Sequence, residues 1–306
     1  MNILSLVNAL PGAAAQGLIW GIMAIGVYLT FRILDVADLT VDGTMCTGGA
    51  VCVMMLMSGH NIWVSMLAAT GAGMLAGLAT GIFHTFMGIP AILAGILTQL
   101  GLYSANLKIM GKANQAVNGN KYNLLVSLRN VKGVPFYQNT ILIVAIFIVV
   151  LIAILYWFFG TELGCSLRST GCNPNMSRAQ GINTNVCKVL GLMISNGLVA
   201  LSSALLAQYQ GFADVNMGRG AIVIGLAAVI IGEAIFGRIF RNFAFRLLSV
   251  AFGSILYYLV LQTVIWLGID TDLLKMLSAL VVAVFLAVPY WKTKYFTKPT
   301  KRGGNN

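Results

Sequence analysis

The composition of this chain is that of a membrane protein. Of its 306 residues, 58% are hydrophobic and 9% are charged, whereas charged residues make up about a quarter of an ordinary soluble domain. This excludes a soluble enzyme or a soluble binding domain. The net charge of +11 would suit a nucleic-acid ligand, but the basic residues stand at the ends of apolar runs, where membrane topology explains them and no nucleic acid is expected.

Long apolar runs separate short clusters of charge along the whole sequence. The run from Gly43 to Leu107 contains no Asp, Glu, Lys or Arg, and a membrane-spanning helix needs about 20 apolar residues. We predict nine spans, in chain order Ala13–Phe31, Gly43–Ser58, Ile62–Phe83, Gly88–Leu107, Gln138–Phe159, Val189–Gln208, Ala221–Phe236, Phe243–Leu267 and Leu273–Tyr290. The predicted fold class is all-α: residues 1–306 form one transmembrane domain, a polytopic helical bundle of about 8–10 spans.

The distribution of basic residues predicts which side of the membrane each loop occupies. The C-terminal tail, residues 291–306, is rich in Lys and Arg, which favours a cytoplasmic location. Counting spans back from this tail places residues 161–188 and Gly237–Arg246 on the cytoplasmic side. The segment Lys108–Tyr137 then falls outside, although its own basic residues oppose that assignment.

Two of the predicted spans, Gly43–Ser58 and Ala221–Phe236, are short and rich in small residues. Such spans in both halves of a chain are typical of discontinuous helices around a substrate pathway. Each follows a similar segment, Val36–Gly43 or Phe212–Gly220, in which an Asp follows an Ala and a Gly comes later. The predicted topology makes these segments enter the membrane from opposite faces, so they are either an inverted repeat or a chance similarity of a few residues.

The loop at residues 161–188 is predicted to contain a short helix with both ends marked. Asn173 can cap the free N–H groups, Pro174 fits the first helical position, and Gly181 can close the helix in the left-handed conformation. The helix between them would be about 10 Å long and would display Met176 and Arg178, with Ala179, at the membrane surface. It is either a rigid contact for a partner or the short interfacial helix that any polytopic protein can carry.

Few groups in the chain are available for catalysis. No GxxxxGK[ST] phosphate-binding loop is present, so ATP hydrolysis is expected on another polypeptide. His60 and His84 stand far apart at span ends, so neither a metal site nor an enzyme activity is expected. Glu233 is the one acid that we place within a span, either as a pathway carboxylate or capped by Arg238 or Arg241.

Other polar residues in or beside the apolar runs are candidates for a substrate pathway. Asp35, Asp38 and Asp42 fall within eight residues and form either a solvated turn or a polar lining, and Asp42 could instead cap the helix that follows it. For the neutral polar residues, interhelical hydrogen bonding is the alternative role. The predicted pathway residues are Asp38, Thr40, Asp42, Thr44, Thr98, Gln99, Asn196, Ser203 and Glu233.

Several motifs resemble a known family. Leu163–Thr184 resembles the cytoplasmic loop of bacterial ABC-importer permeases of the branched-chain amino acid and ribose type. Asp38–Gly43 resembles the polar break early in these permeases, most closely in the subgroup assigned to tryptophan or other aromatic amino acids. Gly88–Thr98 and Ile231–Ala234 extend the resemblance over nearly the whole chain, whereas Lys108–Tyr137 is longer and more basic than the family pattern.

The resemblance implies a set of partners. In that family the loop carries the coupling helix that docks on the ATPase subunit, which here implies contacts from Asn173, Pro174, Met176, Arg178, Ala179 and Gly181. ATP and Mg would be bound by that ABC ATPase, so no cofactor is expected in this chain. A second permease copy, as a homodimer or close heterodimer, and membrane lipid complete the assembly, and an extracytoplasmic substrate-binding protein would contact Lys108–Tyr137 and Asp270–Lys275.

The resemblance also implies a function and a location. The chain would be the permease subunit of an importer in the bacterial inner membrane, with a small organic solute as cargo, for which an aromatic amino acid such as tryptophan is the best match. The alternative is an ion-coupled secondary transporter or a channel. Such carriers usually need ionisable groups at membrane depth, and this sequence has few of them.

Overall fold

A computed structural model describes residues 3–117, 119, 122, 124–131, 139–237 and 242–268, together with scattered positions between 273 and 287. The described residues form an α-helical bundle with one pair of short strands. The helices are α1 (Ile3–Tyr28), α2 (Thr40–Met57), α3 (Ile62–Thr85), α4 (Ala91–Met110), α5 (Thr140–Gly160), α6 (Glu162–Cys172), α7 (Pro174–Ala179), α8 (Thr184–Gln210), α9 (Ala221–Phe236) and α10 (Phe243–Trp266). The strands are β1 (Asn114–Ala116) and β2 (Phe212–Asp214), and they pair antiparallel.

Eight of the nine predicted spans correspond to helices, namely α1 to α5 and α8 to α10. Seven of these are long and apolar enough to cross a membrane, and α9 is shorter, at 16 residues. The ninth predicted span, Leu273–Tyr290, lies mostly outside the described residues. The bundle therefore confirms the predicted fold class.

Some of the predicted helix boundaries were wrong. Helix α1 begins at Ile3 instead of Ala13, because the apolar sequence before Ala13 continues the same helix. Helix α8 begins at Thr184, because the side chain of Asn183 accepts hydrogen bonds from two N–H groups of its first turn. Helix α2 has 18 residues, since the polar residues before Gly43 belong to it, so the expectation of two short spans holds for α9 alone.

Glycine residues let several pairs of helices approach until their backbones touch. Gly73, Gly77 and Gly81 bring α3 against the backbone of α8, and Gly17 does the same for α1 against α10, where an added Cβ would lie 2.7 Å from the Cα of Ile255. In lipid there is little hydrophobic drive between helices, so close packing of small residues supplies much of the attraction.

Helices α8, α9 and α10 repeat the arrangement of α1, α2 and α3, with the opposite orientation in the bundle. Helix α1 packs along α10 as α8 packs along α3, and α1 and α8 also contact each other. The segments before α2 and α9 contain the same local turn, because Asp38 accepts a hydrogen bond from the N–H of Thr40 and Asp214 accepts one from the N–H of Asn216. This arrangement favours the inverted repeat over chance similarity.

The two ends of α8 define the two faces of the bundle. Helices α6 and α7 lie at its beginning, and the β1–β2 pair lies at its end. Phe243, at the start of α10, packs on Phe159 at the end of α5, which places the start of α10 on the α7 face. The described parts of the loops therefore lie on the relative sides that the sequence predicts.

The α3–α8 contact yields a stability prediction. We expect Gly77→Ala to destabilise the protein by about 1–3 kcal/mol, because the new methyl group would collide with the backbone carbonyl of Leu192. Gly71→Ala on the same helix is the control, since nothing lies within 4 Å of its added Cβ. Thermal unfolding in detergent measures both variants, and equal midpoints would contradict the close contact between Gly77 and Leu192.

Candidate functional site

A buried carboxylate, that of Asp38, lies where α2, α3 and α8 meet. The side chain is 2% exposed. One of its oxygens accepts a hydrogen bond from the N–H of Thr40 at 2.9 Å, and the other accepts one from the side-chain amide of Asn196 at 2.7 Å. The carbonyl oxygen of that amide accepts a hydrogen bond from the Thr44 hydroxyl at 2.7 Å. Because a buried polar group without hydrogen-bond partners is costly, these contacts fix the position of the segment before α2.

Three threonine hydroxyls continue this polar network across the bundle. The hydroxyls of Thr40 and Thr80 lie 2.7 Å apart, and the Thr80 hydroxyl lies 2.9 Å from that of Thr98. Thr98 in turn donates to the carbonyl of Ala94 in its own helix. The network thus joins α2, α3, α4 and α8, and all its members are buried.

The carboxylate of Asp42 caps a helix in the other half of the chain. Its two oxygens accept hydrogen bonds from the N–H groups of Gly220 and Ile222, each at 3.0 Å. These N–H groups belong to the start of α9, where a negative charge is favourable. The expectation that Asp42 caps the helix that follows it is therefore wrong, because Asp42 itself lies in the first turn of α2 and its carboxylate binds the start of α9.

A cavity of about 250 Å³ opens beside Asp42, between α2 and α4. Its polar lining includes Gln99, Asn106 and Arg219, and Tyr103 supplies an aromatic wall. Asn106 is 1% exposed, and its side-chain carbonyl oxygen has no hydrogen-bond partner among the described residues. Such a group is costly to bury, and it belongs to a residue in the wall of this cavity.

The remaining predicted pathway residues lie elsewhere. Ser203 donates to the carbonyl of Met45 and packs beside Gly49. Glu233 forms an ion pair with Arg32 at 3.1 Å, and the expected partners Arg238 and Arg241 lie outside the described residues. Asp35 is exposed, so the three early aspartates do not share one environment.

Sequence reasoning missed several members of the site. Thr80 and Asn106 each stand among apolar neighbours, which is a weak signal, because most such residues serve interhelical hydrogen bonding. Tyr103 and Arg219 gave no signal at all. These residues become recognisable only when α4 and the segment before α9 are seen to share one cavity.

Helix α7 has the predicted caps. The side chain of Asn173 accepts from the N–H of Met176 at 3.1 Å, and Pro174 is the first helical residue. Gly181 closes the helix with a φ of 82°, and the next N–H, of Ile182, reaches back to a carbonyl in α7. These contacts confirm the predicted capping and make α7 a short, well-defined element.

One face of α7 is free and the other is attached to the bundle. Met176 is 59% exposed, and Ala179 is exposed as well. Ser177 is buried, and the guanidinium of Arg178 donates to the hydroxyl of Thr184 at 2.8 Å, which ties α7 to the start of α8. A displacement of α7 by a contact at Met176 would therefore be transmitted to the start of α8.

Helix α6 links α7 to the segment that precedes Asp38. Gly171 brings α6 against the carbonyl of Ile33, so closely that a Cβ at this position would collide with it. Leu34 fills the space beside Gly191 of α8 together with Leu167 of α6. Residues 29–33 form a single π-helical stretch, and such turns often mark functional sites.

The apolar helices of the described residues define a multi-pass membrane protein. The model of the family described as "branched-chain amino acid transport system / permease component" matches residues 10–288. The chain belongs to this family.

Individual proteins agree with this assignment. The chain is 39% identical to a tyrosine transport system permease protein of Clostridioides difficile, over 89% of this chain and 88% of the relative. It is 27% identical to a fructose import permease protein of Bifidobacterium longum, over 87% and 73% of the two chains. These relatives are transport permeases, and the chain is accordingly a transport subunit and not an enzyme.

A solved structure shows the same fold. A chain of PsaBC from Streptococcus pneumoniae, determined in complex with a Fab, superposes with a TM-score of 0.54 at 16% identity. The match covers 96% of this chain and 100% of that one. At this identity the likeness shows the fold alone.

The Asp38 network yields a second prediction. We expect Asn196→Ala to cost about 1.5–3 kcal/mol of stability, because it removes a hydrogen bond to a buried carboxylate. Ser202→Ala on the same helix is the control: it removes one bond to the carbonyl of Ile19 and should cost about 1 kcal/mol. Thermal unfolding in detergent compares them, and a larger loss for Ser202→Ala would show that the network contributes little.

Proposed function

We propose that this chain is the membrane subunit of an ATP-binding cassette importer for an aromatic amino acid, with ATP hydrolysed by a separate subunit. The observation that carries the proposal is helix α7, which is capped at both ends, exposes Met176 and is tied to α8 through Arg178. We assign it the role of the coupling helix. The predicted contacts from Asn173, Pro174, Ala179 and Gly181 belong to the same surface.

The packing of α6 supports a mechanical route from α7 to the polar network. A push on α7 would reach Ile33 and Leu34 through the close contact at Gly171. Asp38 follows a few residues later, and its hydrogen bond to Asn196 would pass the displacement to the middle of α8. Packed backbones transmit such displacements because they have little room to deform.

The exposed face of α4 supports a second copy of this chain as a partner. Leu97, Leu100 and Tyr103 are each 44% exposed or more, and Gly101 and Ser104 are exposed on the same helix. Small residues on a lipid-facing helix let another helix approach closely. In a homodimer joined along α4, the Asp42 cavity would lie near the dimer axis.

The cavity lining and one relative support an aromatic amino acid as the cargo. Tyr103 can stack on an aromatic ring, and Arg219 can bind a carboxylate. Gln99 and Asn106 belong to the same lining, and their side-chain amides can form hydrogen bonds with an amino group. The tyrosine transport permease of Clostridioides difficile is the named relative that points to the same class of solute.

The distribution of charge supports an orientation with α7 in the cytoplasm of a bacterial cell. The basic tail at residues 291–306 favours that side. The opposite face carries the β1–β2 pair, and we propose that an extracytoplasmic substrate-binding protein docks there, near Lys108 and Lys112. Its second expected contact, Asp270–Lys275, lies mostly outside the described residues.

Met176 provides the test of coupling. We expect Met176→Glu to lower both the co-purification of the ATPase subunit and ATP-dependent uptake by about tenfold or more, because a charge enters an apolar contact. Met176→Leu keeps the apolar contact and should retain both properties. Unchanged ATPase binding and uptake in Met176→Glu vesicles would refute the coupling role of α7, as would full uptake without any ATPase.

Asn106 provides the test of the cavity. We expect Asn106→Ala to lower the apparent affinity for the transported amino acid by about tenfold. Its thermal stability should change little, because its contact to the carbonyl of Gly43 is long, at 3.5 Å. Ser249→Ala, which removes a buried hydroxyl in α10 far from this cavity, is the matched control. Unaltered uptake kinetics for Asn106→Ala would place the pathway elsewhere.

A further inference from the structure

A second and larger cavity, of about 850 Å³, lies on the α7 face of the bundle. The end of α1, the end of α5, helix α6 and the beginning of α10 enclose it. Three arginines line it, Arg32, Arg168 and Arg246, and the lining residues that the structure describes include no Asp or Glu. None of the predicted site residues lies in this cavity, so the proposed transport function leaves it unexplained.

Within the described parts of the chain, two of the three arginines have no acidic partner. Arg32 forms its ion pair with Glu233. The guanidinium of Arg168 lies over the rings of Phe159 and Phe243, at 5.4 and 4.2 Å from the ring centres. No ion pair to Arg168 or Arg246 occurs among the residues that the structure describes. The cavity therefore holds positive charge that its own lining does not neutralise.

The outer wall of the same cavity is apolar and continues into the membrane. Trp157, at the end of α5, lines the cavity and is 72% exposed. Ile146, Val150 and Ile154 precede it at helical spacing, and each is more than half exposed. Helix α5 is the most apolar of the described spans, so this stripe faces lipid tails, and Trp157 stands at the membrane interface.

We propose that this cavity binds the head group of an anionic phospholipid from the leaflet on the α7 side. The phosphate would lie between Arg168 and Arg246, which can donate several hydrogen bonds to it. One acyl chain would follow the apolar stripe of α5 past Trp157. Basic pockets between membrane helices bind acidic lipid head groups in this way.

The apolar stripe is what favours a lipid over a soluble anion or a protein. A free phosphate would gain nothing from Trp157 or from the exposed side chains along α5. A protein domain in the aqueous phase could reach the arginines but not the stripe, which runs along the length of a span. The joint presence of charge and a membrane-facing apolar wall therefore selects an anionic lipid.

The bound lipid would also connect two helices of the subunit. Arg168 belongs to α6, and Arg246 lies in the first turn of α10. A lipid phosphate bound to both arginines would hold α6 against α10. Since α6 also contacts Ile33 and the start of α7, we expect the lipid to stabilise the same end of the bundle that α7 occupies.

Binding of short-chain lipids to the full-length protein in detergent tests the proposal. Dioctanoyl phosphatidylglycerol should bind at least about tenfold more tightly than dioctanoyl phosphatidylcholine, as measured by native mass spectrometry. The double variant Arg168→Gln/Arg246→Gln should lose this preference, and Arg168→Lys/Arg246→Lys should keep most of it. Arg178→Gln, on the same face but outside the cavity, is the control and should bind like the wild type.

Three results would overturn the proposal. These are equal binding of the two lipids, an unchanged preference in the glutamine double variant, and competition by millimolar inorganic phosphate as effective as that by the lipid. If the double variant does not fold, a second experiment tests the site in the protein with its native arginines. Phosphatidylglycerol with brominated tails should quench the fluorescence of Trp157. The quenching at Trp157 is the difference in quenching between the wild type and Trp157→Phe. Equal quenching of the two proteins would refute the site.

Discussion

The hydrogen bond between the Asp38 carboxylate and the Asn196 amide is the constraint on which the rest of the site depends. Asp38 has no cationic partner within ion-pair distance among the described residues, so the N–H of Thr40 and the amide of Asn196 stabilise its buried oxygens. These contacts hold the segment before α2 inside the bundle, against the middle of α8. Once that segment is fixed, the start of α2 is fixed too, and Asp42 reaches the start of α9.

The polar contacts act together with contacts in which backbones touch. At Gly171 and Gly95 the neighbouring chain passes so close that a methyl group would not fit without movement: Gly171 meets Ile33, and Gly95 lies against the N–H of Leu39. One contact comes from α6 and the other from α4, and they enclose the Asp38 segment from two sides. Small residues thus give precise positioning where lipid offers no hydrophobic drive for packing.

The sequence predicted the features that depend on residues close together in the chain. It missed the contacts between residues that are far apart in the chain. The apolar runs marked eight of the described helices, and the order of Asn173, Pro174 and Gly181 predicted the caps of α7, because these signals act within a few residues. The cap that Asp42 places on α9 joins residues far apart in the chain. Its partner could not be read from the local sequence, which offered α2 as the nearer candidate. The ion pair between Arg32 and Glu233 was missed for the same reason.

The contacts of α4 differ in kind from those of α2 and α9. Helices α2 and α9 share charge-assisted hydrogen bonds through Asp42, so in the proposed transport cycle their first turns would move together with the Asp38 segment. The polar contacts of helix α4 are neutral: the Thr98 hydroxyl meets that of Thr80 in α3, and the Asn106 amide donates to the carbonyl of Gly43 in α2. Neutral hydrogen bonds contribute about half as much as charged ones. The boundary between α2 and α4, where the Asp42 cavity lies, is therefore held by weaker polar contacts than the boundary between α2 and α9.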